Sequence, residues 1–373
     1  MKVVVAIDSF KGSLSSLQAG NAIKAAVQSL NAKAQVVVKP LADGGEGTVE
    51  ALSGGNAEMI ELSVHGPLNR PVTAKYCILK DSNTAVIEMA AAAGITLISA
   101  QERNPMETTT YGVGELIRDA IGRGCRRFIV GIGGSATNDG GTGMLTALGY
   151  EFLDEQGSPI AFGAKGLEKL HRVKSDKVLP ELRECVFRVA CDVNNPLCGQ
   201  QGCSAVYGPQ KGATTDMIAH MDRWLSRYAD LTGKENKDYP GAGAAGGLGY
   251  AFLNFTNASL QSGIQIVLEE IGLEQDIRDA DIVVTGEGRL DGQTVMGKAP
   301  VGVAQLAKKY GKTVIAFAGC VTEDAVACND HGIDAYFPIL RGITTLEEAL
   351  NPETAYKNLY ATATQVFRLI QNT

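Results

Sequence analysis

Short, wholly apolar runs that stop at glycine, acid or small hydroxyl residues constrain this chain most. The first is VVVAI, Val3–Ile7. With no polar residue to turn outwards, such a run suits a strand covered on both faces, as in a parallel sheet. It ends at Asp8-Ser9-Phe10-Lys11-Gly12-Ser13. From Leu14 to Leu30 apolar residues recur at helical spacing, with Ile23, Ala26, Val27 and Leu30 on one face and Ser15 or Ser16 placed to cap the start. QVVVKPL, Gln35–Leu41, reads as a second strand and completes a βαβ unit.

The alternation returns towards the C-terminus. Strands are expected at Asp281–Thr285, Thr313–Ala318 and Ala335–Ile339, with helices at Val301–Tyr310 and around Asp324–Cys328. Alternating strands and helices predict a doubly wound parallel sheet of the Rossmann-like kind. The middle differs: Glu58–Val64, Val72–Leu79 and Thr84–Met89 are extended runs joined by short turns, the pattern of an antiparallel meander. Further strands are expected at Phe128–Gly131 and Val186–Ala190. The expected fold is therefore α/β with two domains around a cleft. Residues 1–61 and 271–373 would form a discontinuous Rossmann-like domain, and residues 62–270 an inserted mixed α/β domain.

Composition narrows the function. Glycine numbers 44 among 373 residues, well above the ~7% of ordinary usage, and the glycines gather where apolar runs end. The net charge of −7 argues against nucleic acid as partner, which requires a basic face, but not against a small anionic ligand. The eight cysteines form no C-x-x-C pair, and Cys191, Cys198 and Cys203 match no common zinc spacing. They read as reduced thiols of a cytoplasmic protein. The start, Lys2 followed at once by VVVAI, lacks the form of a signal peptide. No uncharged apolar stretch reaches the ~18 residues of a membrane span.

Several motifs sit at expected strand ends, where open parallel sheets bind ligands. In IVGIGGSATNDGGTGMLTALG, Ile129–Gly149, the glycines Gly133 and Gly134 allow close backbone approach, while Ser135, Thr137 and Asn138 add polar groups. N–H groups at the start of the following helix could receive a phosphate. The plain alternative is a tight turn capped by Asn138 or Asp139. In PLADGGEGTVEAL, Asp43 and Glu46 flank Gly44 and Gly45, a donor set suited to Mg2+, or simply an acidic helix start. DSFKGS places Asp8 and Lys11 in one βα loop. CDVNNPLCG places Asp192 beside Asn194 and Asn195, and YGPQKGA adds Lys211 between turn residues.

TGEGRLDGQTVMGKAP, Thr285–Pro300, resembles a P-loop over Gly292 to Lys298, but Ala299 replaces the hydroxyl residue and the expected strand ends too early. What remains is Glu287, Arg289, Asp291 and Lys298 on one loop, a clamp for a phosphate or carboxylate. GAGAAGGLGYAF, Gly241–Phe252, reads equally as close backbone packing or as a cradle. Gly112-Val113-Gly114 lacks the third glycine of a dinucleotide fingerprint, which disfavours an oxidoreductase.

DSFKGSLSS, PLADGGEGT, GIGGSATNDGG, CDVNNPLCG with YGPQKGA, GAAGGLGY and TGEGRLDGQT, in this order, resemble the bacterial type-1 glycerate kinase family along essentially the whole chain. The resemblance implies two α/β domains around a cleft and ATP-dependent phosphorylation of glycerate with Mg2+, the 2-phosphate being the usual product. Residue roles follow from chemistry. Asp192 would be the general base, with Asp8 second and Lys11 near the phosphates. Arg289 or Lys298 would hold the glycerate carboxylate, with Asn194 and Asp291 beside it. Gly133, Gly134, Ser135, Thr137, Asn138, Gly44 and Gly45 would line the nucleotide, and Asp43 and Glu46 would support the metal. The alternative is a non-catalytic sensor that binds a nucleotide or sugar acid through the same loops.

Overall fold

The computed structural model describes residues 1–42, 47–53 and 56–371. Its strands in chain order are β1 (Lys2–Ile7), β2 (Gln35–Pro40), β3 (Ala57–His65), β4 (Pro71–Leu79), β5 (Thr84–Glu88), β6 (Arg127–Gly131), β7 (Glu151–Leu153), β8 (Arg172–Lys174), β9 (Val186–Ala190), β10 (Asn257–Gln261), β11 (Ile282–Leu290), β12 (Thr313–Val321) and β13 (Ala335–Pro338). The chain divides into two compact units. One comprises Met1–Asp43, Glu50–Gly54 and Ile264–Thr373, the other Gly44–Val49 and Gly55–Gly263.

The first unit holds a five-stranded, wholly parallel sheet in the order β13-β12-β11-β1-β2. β1 is an interior strand between β11 and β2, and its Val3 to Ile7 are fully buried. Val3, Val5 and Ile7 pack in one cluster with the apolar faces of the Ser16–Leu30 and Pro352–Gln371 helices. Val4 and Ala6 face the other way, as strand alternation demands, and the Ala299–Lys308 helix packs on β11, β12 and β1. Both faces are covered, so an all-apolar strand is stable here. Ser15, not Ser16, caps the first helix, in a capping box with Gln18. Ser16 is buried instead; its hydroxyl donates to the Ile7 carbonyl and accepts from Leu41 N–H at 2.8 Å, joining the ends of β1 and β2.

Counted along the chain within this unit, the order is 2-1-3-4-5. The strand order reverses between β1 and β11, and ligands in such sheets gather outside the carboxyl ends at the reversal. β11 does not end at Thr285 but continues to Leu290, paired with β12 as far as Leu290↔Val321. Glu287 and Arg289 therefore lie on a strand and not on a loop. Gly286 makes the extension possible: its φ is +153°, and a Cβ there would lie 1.9 Å from the Phe317 carbonyl oxygen. The expected helix around Asp324–Cys328 is a 3-10 turn at Glu323–Val326 followed by a short helix at Ala327–Asp330.

The second unit holds a six-stranded sheet in the order β10-β9-β6-β5-β4-β3. The expected meander is present, since β3/β4 and β4/β5 pair antiparallel. β5/β6, β6/β9 and β9/β10 pair parallel. Phe128 and Phe187 stack at 4.7 Å between neighbouring strands, and Tyr76, Tyr228, Tyr250 and Phe252 complete a fully buried core. The β10 strand, the Thr215–Thr232 helix and the small antiparallel β7–β8 pair have no counterpart in the sequence reading. No helix among the described residues is long and apolar enough to cross a membrane.

Candidate functional site

At the reversal in the first unit, the end of β1 meets β11: Asp8 N–H donates to the Gly286 carbonyl at 2.9 Å. Asp8 is only 7% exposed, and its carboxylate accepts from Ser9 N–H at 2.6 Å. The turn that follows carries the exposed Lys11, whose backbone nitrogen lies 3.3 Å from where a Cβ on Gly288 would stand. β11 thus runs directly beside the β1 turn.

Past Gly288 the charged residues cluster. Lys298 Nζ lies 3.8 Å from Glu287 and 3.7 Å from Asp291, and Arg289 Nε is 3.3 Å from Asp291. The two acids are mostly buried, their side chains 13% and 17% exposed, whereas Arg289 is 62% exposed. Thr294 Oγ1 donates to Glu287 at 2.7 Å, and Gln293 N–H donates to Asp291 at 3.0 Å. Lys298 occupies the N-cap position of the Ala299–Lys308 helix, with Pro300 in its first turn. A strand, a turn and a helix therefore follow one another here as in a P-loop, which removes one ground for rejecting that likeness. The other ground stands: Ala299 carries no hydroxyl, and a 3-10 turn at Thr294–Met296 fills the middle of the segment. Asp8, Lys11, Arg289, Asp291 and Lys298 all lie at the carboxyl ends of the neighbouring strands β1 and β11 or in the segments that follow them.

In the second unit the loop after β6 is pinned at nearly every residue. Gly134 O accepts from Ile95 N–H at 2.8 Å, and Ala136 N–H donates to Ala93 O at 2.9 Å. Gly133 and Gly134 are exposed, whereas Ser135, Thr137 and Asn138 are buried. Asn138 donates to Ser204 Oγ at 2.8 Å. Thr137 Oγ1 and Asn138 Oδ1 are buried without a partner among the described residues.

Asp139, fully buried, settles how the next helix is capped. Its carboxylate accepts from Thr110 N–H at 2.8 Å, Thr110 Oγ1 at 2.9 Å, Gly141 N–H at 3.0 Å and Gly143 N–H at 3.3 Å. The N–H groups expected to receive a phosphate are taken: Gly141 and Gly143 donate to this side chain, Thr142 to the Asp139 carbonyl at 3.2 Å and Met144 to Thr110 Oγ1 at 2.9 Å. Burial pushes the Asp139 carboxyl up, against the downward pull of the Thr110, Gly141 and Gly143 donors. The Gly241–Phe252 segment serves as close packing. Gly246, at φ +68°, presses on the loop so closely that a Cβ would sit 2.1 Å from Thr137 O, and its carbonyl accepts from Gly140 N–H at 2.9 Å.

Asp192 follows β9 and is exposed, and Gly263 N–H donates to its carboxylate at 3.1 Å. Asn194 is exposed as well. Asn195 is committed to structure, donating to Gln201 O at 2.8 Å and accepting from Tyr207 OH at 2.6 Å. The residue that sequence reasoning left without a role is Lys211. It is 2% exposed, and its Nζ donates to Ser135 Oγ at 2.8 Å and to Thr137 O at 2.7 Å. A lysine between glycines reads as surface, so only the fold reveals it. The expected positions Asp43, Gly44, Gly45 and Glu46 lie outside the described residues. Among the described residues no three His, Cys, Asp or Glu side chains are grouped to hold a metal.

A profile of the glycerate kinase family matches residues 3–371. The chain is 47% identical to a glycerate kinase of Haemophilus influenzae, covering 99% of each chain. It is 48% identical to a glycerate 2-kinase of Escherichia coli, covering 96% of this chain and 95% of that one. A solved structure from Salmonella typhimurium LT2, given as a glycerate kinase 2, superposes with a TM-score of 0.92 at 46% identity, covering 100% of this chain and 98% of the other.

Proposed function

The chain belongs to the glycerate kinase family, and on that premise we propose that it moves the γ-phosphoryl group of ATP to the 2-hydroxyl of glycerate, with Mg2+, in the cytoplasm. It is an enzyme of the transferase class, a kinase acting on a small molecule with a nucleotide as phosphoryl donor. The 2-position follows the name of the Escherichia coli relative. The eight free cysteines support a reducing compartment.

The observation that carries the reading is the cluster at the β1/β11 reversal, where Lys298 and Arg289 stand between Glu287 and Asp291, with Asp8 bonded through its N–H to Gly286 on the same strand. Glycerate brings a carboxylate, and Lys298 with the exposed Arg289 supplies cations to hold it, oriented by Asp291. Asn194 would orient the acceptor. Asp192, exposed at the end of β9, would take the hydroxyl proton as the hydroxyl oxygen bonds to the γ-phosphorus and the bond from that phosphorus to the ADP oxygen breaks. Asp8 is the second choice of base, and Lys11 would neutralise phosphate charge as a point cation.

The exposed Gly133–Gly134 turn leaves backbone open to the donor's phosphates, with Ser135, Thr137 and Asn138 shaping it from behind and Gly44 and Gly45 as a second glycine stretch. Asp43 and Glu46 form a donor set suited to a cation that takes few protein oxygens. They would hold Mg2+, which when bound offsets charge on the transferring group.

The test is an assay that requires both ATP and glycerate. Asp192→Asn is expected to lower kcat about 100-fold or more, and Lys298→Met to raise KM for glycerate about tenfold or more. Proton–phosphorus coupling in the product's NMR spectrum distinguishes the 2-phosphate from the 3-phosphate. Binding of ATP and glycerate without turnover would favour a sensor and sink the kinase reading.

A further inference from the structure

A buried ammonium group is expensive unless something in the structure requires it. Lys211 is such a group: 2% exposed, with no carboxylate within ion-pair distance among the described residues. Asp139 acts on it through space, and the Cys203 thiol lies close enough to influence it as well. A methionine would fill the same volume at no desolvation cost, so packing does not account for a lysine. Its two hydrogen bonds do. The acceptors, Ser135 Oγ and Thr137 O, belong to one loop two residues apart, so a single amine closes that loop from behind.

The other pins bind the loop's backbone to Ile95, Ala93 and Gly246, and Thr108 Oγ1 donates to Ala136 O at 2.8 Å. Lys211 differs from these in joining two residues of the loop, Ser135 and Thr137, through one group. We propose that Lys211 is a positioning residue, which by holding Ser135 and Thr137 together presets the Gly133–Gly134 turn for the phosphates of the nucleotide donor. The proposal rests on the reading that this turn meets the donor.

The test uses the full-length protein with Lys211→Met and, separately, Ser135→Ala. Hydrogen–deuterium exchange is followed at the amides of 131–140, and KM is measured for ATP and for glycerate. Lys211→Met is expected to speed exchange in the loop and to raise KM for ATP about tenfold, with KM for glycerate within about twofold. Ser135→Ala moves both readouts the same way by less. In the double variant the two effects fall short of their sum, because both changes remove one shared contact.

A folded Lys211→Met protein with unchanged loop exchange and unchanged KM for ATP overturns the proposal. Should that variant not fold, Ser135→Ala decides, and unchanged exchange with unchanged KM for ATP again overturns it. A wild-type protein that consumes no ATP instead overturns the donor reading, and loop exchange then still decides whether Lys211 sets the turn.

Discussion

Lys211 and Asp139 show what single residues do here that their letters do not reveal. Burial pulls the Lys211 amine down to about 8 from an ordinary value of 10.5. Between these values the unfolded chain carries the extra proton, so stability rises with pH across the window. Compared with Lys211→Met, the wild type should gain roughly 3 kcal/mol in unfolding free energy from pH 8 to pH 10.5. Denaturant titrations of both proteins at each pH check this, with the Met variant cancelling the contribution of other groups such as Cys203. Asp139 was legible only as one of two possible caps. Its partner Thr110 is distant in sequence, and no local spacing could pair them. Asp139→Ala leaves four donors without their acceptor and should cost about 2–4 kcal/mol, read as a lowered denaturation midpoint.

Among the elements, those with strong periodicity were legible and those defined by a neighbour were not. The all-apolar β1, the meander and the Ser16–Leu30 helix follow from residue pattern alone. Ser15→Ala should cost about 1 kcal/mol, because the capping box is lost and Gln18 has no replacement partner. The extension of β11 beyond Thr285 was not legible, since Gly286-Glu287-Gly288 looks like a loop. It is a strand because Gly286 lets β12 approach, which only the neighbouring strand can dictate. The same holds for Gly241–Phe252, where packing and ligand cradle were equal on sequence and the contact with Thr137 decides. Gly246→Ala adds a Cβ 2.1 Å from that carbonyl oxygen at a left-handed φ. It should displace the loop after β6, cost about 2 kcal/mol or more and raise KM for ATP. Thermal denaturation beside steady-state kinetics checks both.

At the scale of the molecule, the alternation of strands and helices at both ends, interrupted by a meander, announced two α/β units from sequence. The strand order 2-1-3-4-5 was not announced, because periodicity says which residues form strands but not which strands are neighbours. Each unit has a core of its own, the second built around Tyr76, Phe128, Phe187 and Phe252. A fragment spanning 56–263 is therefore predicted to fold alone, with a single cooperative transition in far-UV circular dichroism. A fragment ending at residue 42 should show none, because β1 would lack β11.

That dependence of β1 on β11 has a consequence for biosynthesis. Val3–Ile7 leave the ribosome shortly before β2, which takes one side of that strand, yet β11, which takes the other, emerges only after the whole second unit has been made. During translation at ~5–20 residues per second, the side of that strand meant for β11 remains sticky and unclaimed while later segments mature. Slowing elongation within the second unit's coding region will therefore lengthen that vulnerable interval and raise the share of nascent chains captured by chaperones.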